Sequence, residues 1–236
     1  MTRSVRAGLV IPAAGGGRRM GGVHKPLLEL RGVPVLLRAL LPFLARDEIV
    51  AVAVALSGPE LERPPAWLAS LDPRIRLVAG GAERDESVRS GLAALPDQLD
   101  VILVHDAARP LVSAAVIDRV LAAAAAGRAA IAALPVSDTI QQVDATNRIV
   151  TTPDRARLRA AQTPQGFPAA VLREAVRRAV EDGVRGTDEA ALVARCGIAV
   201  YAVDGAPENI KLTTAWDLRV AEALLDEPDP AVPNAG

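Results

Sequence analysis

Aromatic residues are nearly missing: two Trp, two Phe and one Tyr serve a chain of 236 residues. Leu, Val and Ala must therefore fill the interior. Cysteine occurs once, at Cys196, which excludes an internal disulfide and any multi-cysteine metal site and leaves it the role of a small buried hydrophobe. Charge of one sign is not in excess. The net charge of −1 supplies no global field toward nucleic acid or anionic membrane, so any affinity for anions must be local. No apolar run approaches the ~20 residues of a membrane span, and the opening stretch "AGLVIPAAGGG" is too short and glycine-rich for a secretory h-region. These absences lead us to expect a soluble cytoplasmic protein with one large core domain and no nucleic-acid or membrane partner.

Short β-type runs alternate with amphipathic helical stretches. Strands are expected over 5–11, 49–56, 75–79, 101–105, 129–135 and 198–203. Helices are expected over 34–45, 83–95, 113–126, 168–182, 187–196 and 213–225, with Thr187 as an N-cap ahead of Asp188 and Glu189. Gly127 and Gly197 stand where helix C-terminal glycines belong. Such alternation implies an α/β fold with a mostly parallel sheet and helices on both faces. One segment breaks the rhythm: 137–161 is polar and β-leaning, with a turn signal around 144–147. It is either an exposed hairpin or an arm that packs on another subunit. The core thus spans 1–136 and 162–226, and the proline-rich tail 227–236 is expected to be disordered.

Two constellations carry chemistry. "PAAGGGRRMGGVHKP" packs glycines and cations behind the first strand. Gly15 and Gly17 fit the first positions of a dinucleotide fingerprint, but the third falls on Met20. A P-loop fails too, because Gly17-x-x-x-x-Gly22 is followed by Val23 and His24. Bare backbone N–H groups with Arg18, Arg19 and Lys25 suit a triphosphate whose α-phosphorus is attacked. The second is "VILVHDAARPLV", where a strand delivers His105, Asp106 and Arg109 at its carboxyl end, the edge at which open α/β sheets hold ligands. Asp106 can ligate Mg²⁺ together with phosphate oxygens, and Arg109 offers a fork for a phosphate. His105, ending a buried strand, reads as a structural hydrogen-bonding residue.

"PAAGGGRRM", "GGAERDESVRSGL", "VHDAARP", "SDTI", "QTPQGF", "TDEAALV" and "ENIKLT" follow one another in this order from Pro12 to Thr213. Together they resemble the 2-C-methyl-D-erythritol 4-phosphate cytidylyltransferases of the non-mevalonate isoprenoid pathway. That resemblance implies a Rossmann-like nucleotidyltransferase fold with a protruding β-arm, CTP and a polyol phosphate as substrates, a divalent cation such as Mg²⁺, and a homodimer joined through 137–161. By similarity, Arg19 and Lys25 are catalytic and neutralise the α-phosphate. Ala13, Ala14, Gly15, Gly17, Gly81 and Ser87 match nucleotide-binding positions. Asp106, Arg109, Thr139, Arg155, Thr163 and Lys211 match positions around the acceptor, with Asp106 also near the metal and Arg155 coming from the partner's arm. Thr187 and Asp188 match a family motif that helix capping explains equally well.

The chain departs from the family in two places. Pro26 follows Lys25 where the family has glutamine, which removes an N–H and fixes φ beside the lysine. Gly166-Phe167 replaces a usual Phe-Phe, an expected loosening beside Thr163. Ribitol 5-phosphate cytidylyltransferases share most of these motifs, and a nucleotide-binding regulatory paralogue is the non-enzyme alternative. Sugar-nucleotide and molybdopterin-type nucleotidyltransferases lack "VHDAARP" and the arm. Arg19→Ala and Lys25→Ala are each expected to lower kcat by roughly a hundredfold or more, the scale of losing one transition-state donor. Affinity for CTP should fall much less. Steady-state kinetics check this: normal kcat with only a raised KM would mean that the side chain merely binds ground-state triphosphate.

Overall fold

The computed structural model describes residues 4–15 and 27–225. Gly17, Arg19, Lys25 and the tail 227–236 therefore lie outside the described residues. The strands in chain order are β1 (Ala7–Pro12), β2 (Glu29–Leu30), β3 (Val33–Pro34), β4 (Ile49–Leu56), β5 (Ile75–Ala79) and β6 (Val101–Val104). Then come β7 (Ala129–Pro135), β8 (Gln142–Val143), β9 (Ile149–Thr151), β10 (Arg159–Pro168) and β11 (Val200–Asp204). The helices are α1 (Val35–Leu44), α2 (Gly58–Glu62), α3 (Ala66–Ala69), α4 (Arg84–Ala94), α5 (Ala114–Ala125), α6 (Ala169–Glu181), α7 (Glu189–Arg195) and α8 (Ala215–Leu224). No helix among the described residues is long and apolar enough to cross a membrane.

Seven strands form one sheet in the order β11-β7-β10-β6-β1-β4-β5. All neighbours run parallel except β10, which is antiparallel to both β6 and β7. Strand alternation divides the apolar residues between two faces. Leu9, Ile11, Val54 and Leu103 meet Leu36, Leu40, Phe43 and Val120 on one side. Val10, Ala53, Ile102 and Val104 meet Val88, Leu92, Leu172 and Val193 on the other. The only two phenylalanines, Phe43 and Phe167, are fully buried, one on each face. Gly127 and Gly197 adopt positive φ directly after α5 and α7, as expected of helix C-terminal glycines.

Two expectations are corrected, and one central strand is not anticipated. Periodicity does not predict β10 as a strand, because Gln162-Thr163-Pro164-Gln165-Gly166 contains no apolar alternation, yet it runs through the middle of the sheet. The N-cap of α7 is Asp188 rather than Thr187: the Asp188 carboxylate accepts from the Ala191 N–H at 2.9 Å. Packing at Gly166 is tight rather than loose, since an added Cβ would lie 2.6 Å from Val120 Cγ1 and 2.9 Å from Leu103 Cδ2. Within 137–161, β8 and β9 form an exposed hairpin that reverses at Asn147, which takes positive φ. The last three residues of that segment, 159–161, already pair with β7. The β7–β10 pair is thus one long hairpin, and β8–β9 is its tip.

The β7–β10 register shifts between Ala161 and Gln165, which turns Thr163 toward the end of β6. Its hydroxyl oxygen accepts the Asp106 N–H at 3.0 Å and lies 3.0 Å from His105 Nδ1. The hydroxyl hydrogen therefore goes to Nδ1. The histidine proton is left on Nε2, where it donates to the Arg109 carbonyl at 3.1 Å. Burial, opposed by that carbonyl and by Asp106, lowers the pKa of His105 from 6.5 to about 4. His105 is thus neutral and inward-facing, as its place at a buried strand end led us to expect. Between those two pKa values the unfolded chain binds more protons than the folded one, so stability falls as pH drops through that window. The fall attributable to His105 is at most about 3 kcal/mol. Urea unfolding from pH 7 to pH 4 should show this loss in the wild type and a correspondingly flatter profile in His105→Gln; equal slopes would exclude the assignment.

Candidate active site

A cleft of about 330 Å³ opens at the carboxyl ends of β1 and β6. Its walls come from Ala13 and Gly15 after β1, from Gly81 to Ser87 at the start of α4, and from Asp106 and Lys211. Small residues bring the walls together. A Cβ on Gly80 would lie 2.3 Å from the Ala14 Cβ, and one on Gly81 would lie 2.2 Å from the Glu86 Cβ. Only glycine permits this approach of two chain segments. Ser87 Oγ accepts the Gly81 N–H at 3.2 Å and donates to the Glu83 carbonyl at 3.2 Å, which fixes the turn. Glu86 closes the helix start by accepting the Ala82 N–H at 2.8 Å.

Charge concentrates on the cleft floor. Asp106 is buried and holds a different cation on each oxygen: Arg84 Nε at 3.0 Å from Oδ1 and Lys211 Nζ at 2.8 Å from Oδ2. Burial alone would raise its pKa, but Arg84 and Lys211 outweigh burial and hold the carboxyl well below the usual range. Arg84 also grips Glu189 with both Nη groups, at 2.8 and 2.9 Å. Burial weighs against a charge on Arg84, yet Glu189 and Asp106 together strengthen its hold on its proton. Burial pushes the Glu189 carboxyl up, with Arg84 opposing. Arg84 and Glu189 escaped the sequence reading. One available signal was the cation at the first residue of α4, a position that the helix dipole disfavours.

The other expected residues fall into three groups. Ala13, Gly15, Gly81, Ser87, Asp106 and Lys211 line one cleft, and Ala14 sits against Gly80 in its wall. Arg109 and Thr163 are buried and are not among the cleft-lining residues. Arg109 donates to the carbonyls of Asn209 at 2.6 Å and Ala161 at 3.4 Å, so its fork holds the chain beneath the cleft. Thr139 and Arg155 are exposed on the arm and apart from this cleft, with Arg155 donating to the Ser137 carbonyl at 2.7 Å. Asn209 and Gln162, also missed, fix the loop that carries Lys211. Gln162 Nε2 donates to the carbonyls of Ala206 and Asn209, and Asn209 Nδ2 donates to that of Thr163. Asp188 accepts from Gln165 Nε2 at 2.8 Å, which ties α7 to β10.

Among the described residues no group of three His, Cys, Asp or Glu could cage a metal ion. Both oxygens of the Asp106 carboxylate are engaged by cations. What the floor can do is meet an anion with Lys211, the more exposed of the two cations paired with Asp106.

A family model described as IspD, 2-C-methyl-D-erythritol 4-phosphate cytidylyltransferase, matches residues 7–227. A relative of that name from Symbiobacterium thermophilum is 46% identical over 224 residues, covering 94% of each chain. The crystal structure of 4-diphosphocytidyl-2C-methyl-D-erythritol synthase from Anaerococcus prevotii superposes with a TM-score of 0.84 at 27% identity, covering 95% of this chain and all of that one. The 2-C-methyl-D-erythritol 4-phosphate cytidylyltransferase of Thermus thermophilus gives 0.78 at 36% identity, covering 94% and 98%. Motif order, sheet and overall match agree over almost the full length: the chain belongs to the 2-C-methyl-D-erythritol 4-phosphate cytidylyltransferase family.

Proposed function

We infer that the protein transfers CMP from CTP to 2-C-methyl-D-erythritol 4-phosphate, releasing pyrophosphate and forming 4-diphosphocytidyl-2-C-methyl-D-erythritol. The observation that carries this reading is a cleft with two unlike walls. Tight turns at Gly80 and Gly81, whose N–H groups are held by the Leu56 carbonyl and Ser87, give one wall without bulky side chains for a nucleoside, while the floor presents Lys211 and Arg84 around one carboxylate. An oxygen of the acceptor phosphate attacks the α-phosphorus in line. One P–O bond forms as the bond to the pyrophosphate oxygen breaks, and the electron pair leaves with pyrophosphate. The nucleophile is already anionic, so no general base is needed, in keeping with a neutral His105 turned away from the cleft. Lys211 pairs with the acceptor's phosphate, and Asp106 faces its hydroxyls. Arg19 and Lys25 supply charge to the α-phosphate as it becomes five-coordinate.

A magnesium ion is assigned to the substrate as Mg·CTP rather than to the protein. Asp106 offers one ligand whose oxygens already carry two cations, so the ion would take its other ligands from phosphate oxygens and water. The active unit is a homodimer. Ile140, Val143, Ile149 and Val150 stand exposed on the arm without a core of their own, which supports a docked hairpin. In that assembly Arg155 and Thr139 reach the partner's acceptor site.

Two experiments test these readings. Pyrophosphate release, with the four nucleoside triphosphates crossed against methylerythritol 4-phosphate and ribitol 5-phosphate, should be fastest for CTP with methylerythritol phosphate. Faster turnover of the ribitol ester would reassign the acceptor, and nucleotide binding without turnover would favour the regulatory paralogue. For the arm, inactive Arg155→Ala and Lys25→Ala homodimers should regain activity after subunit exchange, since one site of each heterodimer then carries neither defect. Exchange confirmed by mass spectrometry with activity still at the parental level would exclude the crossed arm.

A further inference from the structure

Asp106 and Lys211 meet the acceptor in that reaction, whereas Arg84 and Glu189 are given no contact with the reacting groups, although both are costly where they stand. Arg84 opens α4 and Glu189 opens α7, and Glu189 is almost fully buried. A cation at a helix start works against the dipole, and a carboxylate there would stabilise the helix equally well while solvated. Their placement therefore answers to something other than the helices.

We propose that Arg84, clamped by Glu189, is the permanent cation of Asp106 while Lys211 is its exchangeable one, so that acceptor binding can draw Lys211 away without releasing the carboxylate. The geometry distinguishes the two cations in three ways. Arg84 commits three N–H groups to two carboxylates, one to Asp106 and two to Glu189, which fixes both the position and the plane of the guanidinium. Lys211 makes a single ion pair, with Asp106, on a flexible four-carbon stem, and its side chain is 41% exposed against 27% for Arg84. Finally, the two cations occupy different oxygens, so the departure of one does not unseat the other. Once Lys211 moves to the acceptor's phosphate, Oδ2 is free to accept a hydrogen bond from a polyol hydroxyl. Arg109 Nε, 3.8 Å from that oxygen, is too far to take over, and the Nη groups of Arg109 are held by carbonyls. Arg84 is then the cation that stays on the Asp106 carboxylate, whose backbone N–H remains on Thr163. Glu189 touches no substrate and is a positioning residue acting through Arg84.

This inference rests on the transferase reading, and the test separates the two. Kinetics would be measured on the full-length wild type, Arg84→Lys, Glu189→Gln and Asp106→Asn, with both KM values, kcat and the melting temperature for each. Arg84→Lys keeps the charge but loses the fork, and Glu189→Gln keeps the shape but loses the clamp. Each should raise the acceptor KM roughly tenfold or more and lower kcat, while the CTP KM stays within about threefold. On the Asp106→Asn background the penalty of Arg84→Lys should largely vanish, because both changes disable one unit. Unchanged acceptor KM and kcat in both single variants would overturn the proposal, as would penalties that add in full. A wild type that fails to turn over CTP with methylerythritol phosphate would instead overturn the transferase reading, and this inference with it.

Discussion

A carboxylate buried at the end of a strand has to be neutralised, and the architecture around Asp106 follows from that need. Removing an ion from water costs several kcal/mol even after relaxation, so the charge persists only where partners converge on it. Here they come from distant parts of the chain: Arg84 from the start of α4, Lys211 from the loop after β11, and the backbone anchor Thr163 from β10. Each partner needs its own support. Arg84 leans on Glu189, the Lys211 loop is tied down through Gln162 and Asn209, and Thr163 is oriented by His105.

Order and compensation also explain why the cluster stays open to water on one side. A fully paired carboxylate deep in the core would add little to stability compared with a hydrophobic replacement, and so has no structural justification. One cation on a rigid fork and another on a mobile stem make a site that is held together and still able to exchange partners.

Periodicity made the apolar framework legible. β1, β4, β5, β6, β7 and β11, and α1, α4, α5, α6, α7 and α8, appear with ends moved by no more than two residues, because the central strands, buried on both faces, are written as apolar runs, whereas the short α2 and α3 between β4 and β5 are not anticipated. β10 carries no such record. Its central residues are polar because their side chains satisfy the loop at 205–209 and the end of β6, so the local pattern reports those bonds rather than the strand. For the same reason the quoted motifs located Asp106, Ser87, Gly81 and Lys211 in one cleft, but could not tell which arginine faces the carboxylate. Arg109, beside Asp106 in sequence, turns to main-chain carbonyls, whereas Arg84, twenty-two positions earlier, makes the closer contact. Glu189 reads as a favourable first-turn acid until its burial and its guanidinium partner are seen.

The place of β10 bears on how the chain assembles as it is synthesised. β1, β4, β5 and β6 neighbour one another and are complete in sequence by Val104, so that half can form from consecutive crossover units. β7 cannot join it, because its sheet neighbours, β10 and β11, are both made later. β7 waits as an apolar strand until the arm has passed and β10 folds back along it. β10 is the strand that joins β7 to β6, and it carries Thr163 to Asp106. Until that moment the edge of β6 stays open, and a nascent chain stalled between residues 135 and 159 presents two unpaired apolar strand edges to its surroundings.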